Sequence, residues 1–528
     1  MLSLLKRMSQ LLIVLVLAGV FGWERVRAQS IVPAGDGTGT IVTPNGQRFD
    51  INGGSLSGDG TNLFHSFEQF GLSQGEIANF LSNPQIQNIL GRIVGGDPSI
   101  INGLIQVTGG NSHLFLMNPS GFVFGANAQL QVPGSFTVTT GDGIQFGSNW
   151  FSAGGGNDFE ALVGNPTGFG FAIAQSGAII NAGNLVVGSG QDLTLLGGTV
   201  VNTGQLSAPG GEVIVTAVPG GNRVRLTVPG NVLSLEIEPI ALSGSQPNDW
   251  KLPITALPTL LTVGASGLDT GLAANAGGQV VLTESGLPVG EGDVVAGDVT
   301  AQTAVLAANQ NLTLVESQLQ TTGDLNLLAG DTVRMRDSVT NPVRVQAGEE
   351  LIVQGNQGVD IFALNHPQSG LLSGGDMVLR SANTVGGDAH YTTGGNFRIE
   401  QLDGSLGNLF SPYDPVVRAS GDVSFDSYTG ASLHIFAGGS VTIPGTITIT
   451  GPDTVANSIQ ENVTLSDGTV VAIDGNAQPT LDIRAGTTAF GTPQIIGTGT
   501  FIPGFPCICG TATSADITLG RIITNGGN

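Results

Sequence analysis

The only two cysteines in 528 residues, Cys507 and Cys509, stand one residue apart in Phe505-Pro506-Cys507-Ile508-Cys509-Gly510. That spacing makes an unstrained bridge awkward, so a local disulfide or a pair of free thiols is expected. Zinc takes four ligands, and no second ligand pair lies nearby, so no metal site is assigned. The five histidines, His65, His113, His366, His390 and His434, are scattered, and none joins a Cys or Ser in a nucleophile–base arrangement. No catalytic residue is assigned and no cofactor is called for. His65 lies among aromatics and reads as packed. His434 alternates with Leu433 and Ile435 and reads as facing water. Most carboxylates follow glycine, where a turn role is sufficient. Gly35-Asp36-Gly37 and Gly154-Gly155-Gly156-Asn157-Asp158 are of the calcium-repeat type, but neither recurs at the nine-residue period that would make the signal specific. Asn83-Pro84 and Asn118-Pro119-Ser120-Gly121 are turn signals, in which proline presets φ and glycine accepts a positive one.

The elements that carry these residues repeat. A glycine pair or Gly-Asp precedes a short alternating strand at Gly323-Asp324-Leu325, Gly375-Asp376-Met377, Gly395-Asn396-Phe397, Gly421-Asp422-Val423 and Gly439-Ser440-Val441. Many starts lie about 20 residues apart, the pitch of a solenoid whose units bury their faces only against one another. Alternation gives each strand two faces. Val333 and Met335 flank Arg334, Val343 and Val345 flank Arg344, and Phe397 and Ile399 flank Arg398, so the arginine face is the wet one. The glycines are expected to supply positive-φ corners. A propeller would need four strands per roughly 40–45 residues, and tandem sandwiches would need linkers and more aromatics than 5%. A parallel β-helix fits, and coils about 4.8 Å apart at this pitch predict a rod on the order of 100–120 Å.

Residues 1–28 stand apart. Lys6 and Arg7 precede the apolar run Leu11–Phe21, and Val26-Arg27-Ala28 ends on a small residue, the pattern of a cleavable signal peptide. The full chain carries −23, and removal of residues 1–28 leaves −26 with Lys251 as the only lysine. Such a chain cannot neutralise a phosphate backbone, which excludes nucleic acid as a partner. No later apolar run reaches membrane-spanning length, so no stable membrane insertion is expected. With 40% apolar residues the chain can still build a core.

The expected layout is a signal peptide over 1–28, a less repetitive capped domain over 29–241, an irregular segment or boundary over 242–275 marked by Pro247, Pro253 and Pro258, and β-solenoid repeats over 276–528. The last strand phrase, Asp516–Leu519, is followed by no evident cap, which is compatible with a truncated copy. Gln74–Leu81 is the best helix candidate. Ile105–Val107, Leu114–Leu116 and Phe136–Val138 read as strands.

From about Ile31 to Val228 the chain resembles the secretion (haemagglutination activity) domain of filamentous-haemagglutinin-like exoproteins of two-partner secretion. The resemblance rests on Asn62-Leu63-Phe64-His65-Ser66-Phe67-Glu68-Gln69-Phe70, on Asn83-Pro84-Gln85-Ile86, and on Leu114 through Gly125 with Asn118-Pro119-Ser120-Gly121 at its centre. The family shows Asn-Pro-Asn-Gly-Ile at the last site, so Ser120 and Phe122 depart from it. What the resemblance implies is an all-β, right-handed parallel β-helix with a capped N-terminal secretion domain. It also implies an outer-membrane β-barrel transporter with periplasmic domains as partner, with Asn83, Pro84, Asn118, Pro119 and Gly121 as recognition residues. The expected protein is non-enzymatic, exported via the periplasm of a double-membrane bacterium to its surface or beyond, where it acts as an adhesin or surface structural protein touching host or matrix glycans. The rival readings are a carbohydrate-active β-helix enzyme and the carrier stalk of a larger toxin.

Overall fold

The computed structural model describes residues 31–226, 235–240, 245–264, 267–413, 415–454, 459–465, 467–487 and 514–525. The signal-peptide reading and the Cys507/Cys509 pair therefore lie outside the described residues.

Alternating strands pair in parallel, each with its counterpart one coil away. One column runs through Asn62–Gln69, Asn88–Ile93, His113–Met117, Phe136–Thr139, Leu193–Gly197 and Gln205–Ala217. It continues through Asp298–Ala308, Leu325–Ala329, Leu351–Gly355, Met377–Arg380, Phe397–Glu400, Val423–Ser424, Val441–Ile449 and Ile517–Thr524. This is a parallel β-helix. Its core is built of stacked like side chains: Leu325, Leu351, Met377, Phe397, Val423 and Val441 follow one another in register, all fully buried. The column's fourteen strands, at about 4.8 Å each, make a helix about 60 Å long, roughly half the expected length. Coil lengths explain part of the difference: Val423 sits 18 residues from Val441, and Leu351 sits 26 from Met377. Excursions explain the rest.

Among the described residues, three groups of elements outside the helix cover its outer face. Gly143–Phe146, Asn149–Ser152, Gly168–Phe171, Asn222–Leu226 and Leu235–Pro239 form an antiparallel side sheet. Its Phe146, Phe151 and Phe169 pack on Phe64, Leu90, Met117, Leu196 and Ile214, the outward residues of the column. The helical turn Leu257–Gly264 and the small sheet Leu272–Ala274, Val280–Leu282 and Pro288–Val289 cover Val123, Ile180, Val201 and Val295. Beneath this cover Thr199–Asn202 pairs with Val294–Ala296 and Gln205–Ala217 with Asp298–Ala308, so the coils stack without a break. The hairpin Gln460–Thr464 and Val470–Asp474, with Ile459 and Ile473, covers Val416 and Phe436.

Several expectations are corrected. Residues 77–81 are a strand, Ile77–Leu81, paired on both sides with Arg48–Gly53 and Leu104–Thr108. Ala78 and Phe80 belong to the apolar core, while Asn79 between them bonds instead to Asp50 and Thr108, the two faces of a strand. His434 is fully buried, because the hairpin over Phe436 turns that outward face into an interior one, and its Nδ1 lies 3.6 Å from Asp482. Arg334, Arg344 and Arg398 do point outward and are part-exposed.

The glycine of the repeated phrase has another cause than the expected one. Gly375, Gly395, Gly421 and Gly439 do not take positive φ. A Cβ on Gly395 would run into Asp376 Oδ1, one on Gly421 into Asn396 Oδ1 and one on Gly439 into Asp422 Oδ1. Those oxygens accept the backbone N–H of the next coil's corner residue: Asp376 from Asn396 at 2.7 Å, Asn396 from Asp422 at 2.8 Å, and Asp422 from Ser440 at 2.7 Å. Asp324 accepts from Glu350 at 2.9 Å in the same way. Glycine clears the space in which one coil's side chain closes the next coil's corner.

Candidate functional site: the N-terminal cap and the Asn-Pro turns

The first coil is closed by antiparallel strands. Val32–Pro33 and Ser55–Leu56 pair with Asn62–Gln69, and Thr40–Asn45 pairs with Arg48–Gly53. This removes the open sheet edge that a stack of parallel coils would present. Phe67, Phe70 and Phe80 fill the capped end, with ring centroids 5.2–6.2 Å apart. His65 packs beside them, fully buried as expected, its Nδ1 3.4 Å from Thr40 Oγ1. Burial pushes its pKa down to about 4.

Arg92 holds the cap to the side sheet. It is 2% exposed and donates to Asp36 Oδ2 (2.8 Å), Ser66 Oγ (3.1 Å), Ser152 O (2.7 Å) and Gly155 O (2.9 Å). Asp36 also accepts from Thr38 and from Ser66. Burial opposes the charge on Asp36, yet the hydrogen bonds from Ser66, Thr38 and Arg92 outweigh it and hold the carboxyl down at about 2. The Gly35-Asp36-Gly37 turn is thus an ion-pair corner, and among the described residues no three His, Asp or Glu side chains gather as a metal site. Arg92 escapes sequence reasoning; its one signal is a lone arginine inside the apolar run Ile89-Leu90-Gly91-Arg92-Ile93.

The two Asn-Pro turns occupy different corners. Asn83 leads into the strand Asn88–Ile93, whereas Asn118 follows His113–Met117, the next coil's counterpart of that strand. Asn83 and Pro84 are exposed. Asn83 Oδ1 accepts from Gln85 N at 2.8 Å and its carbonyl from Ile86 N at 3.1 Å, an Asx turn. Asn118, Pro119 and Gly121 are buried. Asn118 Nδ2 donates to Asp97 O and Ser99 Oγ, both at 3.0 Å, while its Oδ1 accepts from Ser120 N at 3.0 Å. Pro119 O accepts from Gly177 N of the following coil at 3.0 Å. Gly121 has φ +111°, and a Cβ there would lie 2.8 Å from Ala178 O. This turn ties three coils together from the inside.

A capped parallel β-helix with an antiparallel side sheet is the class these features define. Residues 29–246 match the family model of the TPS secretion domain, the domain of two-partner secretion exoproteins, which are secreted through the outer membrane of Gram-negative bacteria. Two solved structures are similar. The HMW1 secretion domain from Haemophilus influenzae is 13% identical, with 80% of this chain and 94% of that one covered at TM-score 0.34. A filamentous hemagglutinin secretion domain is 15% identical, with 72% and 100% covered at TM-score 0.28. No curated protein matches the chain.

Proposed function

We propose that the chain is a non-enzymatic adhesin or surface structural protein, exported through an outer-membrane β-barrel transporter whose periplasmic domains recognise residues in the first third. The observation that carries this reading is the continuity of the secretion domain with the coils beyond it. One core runs from Ile31 to Ile449, so the segment that directs export and the segment it delivers form one stack. The corner carboxylates, which a hydrolase would need converging on a substrate, are spent on backbone N–H groups instead.

Burial divides the recognition residues by timing. Asn83 and Pro84 stay accessible in the folded domain. Asn118, Pro119 and Gly121 do not, so any contact they make with the transporter precedes closure of their coil. Coils that stack as they emerge then bury apolar surface one rung at a time and oppose backward sliding. Co-expression with a neighbouring barrel gene tests the reading: export of the full chain with that partner and retention without it are expected. Equal export in both cases contradicts it.

A further inference from the structure

On one column of strands the outward residues of successive coils are Arg334, Asp360, Gly386, Phe410 and Thr429. Phe410 is 45% exposed, a large apolar ring among polar neighbours. Gly386 interrupts the file between Asp360 and Phe410, two rungs or about 9.6 Å apart, and a groove of 690 Å³ opens there. The fold does not require glycine at this point. A Cβ would meet only Val359 O at 3.5 Å and Asp360 Cα at 3.8 Å, both ordinary contacts, and φ is not left-handed. Gly387 is the contrast: its Cβ would lie 2.7 Å from both Tyr391 Oη and Leu409 Cδ1. What Gly386 supplies is room.

The wall opposite Phe410 is the Asp360 carboxylate, ion-paired to Arg336 and 3.9 Å from Arg334 Nε. The lining holds one arginine and one aspartate, and the rest of its polar groups, among them Asn408 and Ser427, are uncharged. An aromatic ring, a balanced ion pair and neutral hydrogen-bonding groups around a ring-wide gap suit a ligand with one apolar face and an edge of hydroxyls. We propose that this groove binds a neutral pyranose ring of a glycan. The sugar's C–H face packs on the electron-rich face of Phe410, and its hydroxyls bond to Asp360 and Arg334. The proposal rests on the adhesion reading and gives it a specific site.

The test is calorimetric titration of the exported full chain with maltohexaose, cellohexaose, mannohexaose and xylohexaose. At least one binds, and Gly386→Val, which fills the gap without backbone conflict, and Phe410→Ala each weaken it tenfold or more while the thermal midpoint holds. No binding by any of the four, or unchanged binding in both variants, overturns the proposal. Adhesion to cells, measured on the same proteins, separates the two readings. Sugar binding without adhesion keeps the groove and removes the adhesin, and adhesion without sugar binding does the reverse.

Discussion

Replacing Arg92 with alanine should destabilise the N-terminal region by about 3 kcal/mol. The change removes the guanidinium from the buried Ser152 O, from Gly155 O and from the Asp36 carboxylate, of which Ser152 O keeps Asn157 and Asp36 keeps Thr38 and Ser66 as donors. Breaking a buried ion pair from one side costs about 3–5 kcal/mol. Asp36 is 25% exposed and can recover water, which places the loss at the lower end. Asp36→Ala should cost less, about 1.5–3 kcal/mol for a charged hydrogen bond, because the guanidinium keeps three acceptors. The double variant should show a coupling of about 1–3 kcal/mol. The assay is guanidinium unfolding of residues 29–528, followed by tryptophan emission. Trp150 and Trp250 are the only tryptophans in that span, and both are buried. Trp150 lies on the side-sheet strand Asn149–Ser152, which carries Arg92's acceptor Ser152, and its Nε1 donates to Ser245 O at 2.9 Å. The pair also predicts an acid limit. The Asp36 pKa is depressed in the folded state, so its contribution is present above the unfolded value near 3.9 and is lost as pH falls through about 2. A loss below about 1 kcal/mol for Arg92→Ala, or strict additivity with Asp36→Ala, would refute the clamp.

Other expectations follow from the same contacts. Gly421→Ala should cost about 1–3 kcal/mol by displacing Asn396 from the Asp422 N–H, whereas Gly451→Ala, which meets nothing within 4 Å, should be neutral in the same chemical melt. Gly121→Ala combines a left-handed φ with overlap on Ala178 O and should lower stability by about 1–3 kcal/mol; an unchanged unfolding midpoint would show that the turn relaxes freely. Stability should fall on acidification from about pH 6 to about pH 5. His65 and His390, held by burial at about 4 and about 3, stay neutral there while the unfolded chain carries both protons. Asp142, raised by burial to about 6, takes up one in the folded state and offsets half of this. The net slope is about 1.4 kcal/mol per pH unit, and Asp142→Asn should roughly double it; a flat stability–pH profile would contradict this assignment.

Alternation around Arg334, Arg344 and Arg398 was enough to read the coil's inside and outside, because a solvent-facing strand records its two faces residue by residue. The same rule fails where an excursion covers the outer face. His434 lies under a hairpin, and Phe64 and Met117 lie under the side sheet; nothing local reports a cover that arrives from elsewhere in the chain. The Gly-Asp phrase was legible as a repeat, but its cause was not, since a clash between Gly421 and Asn396 exists only once two coils stack. Length was misjudged for the same reason: a periodicity counts strands but does not say how many residues leave the helix between them. Gln74–Leu81 carries helix-forming residue types, and pairing with a strand on each side overrode them. In the candidate site, Asn83 and Asn118 were legible as turns. That one is exposed and the other internal depends on Gly177, Ala178 and Leu260, which no spacing in the chain connects to them.

Whether residues 29–246 direct export is read from the fraction of chain reaching the medium in cells that carry the transporter. Compared are the full chain, residues 1–246 alone, and the full chain with residues 29–246 removed. The first two should be released and the third retained inside the outer membrane. Release of the third at the level of the full chain would contradict this.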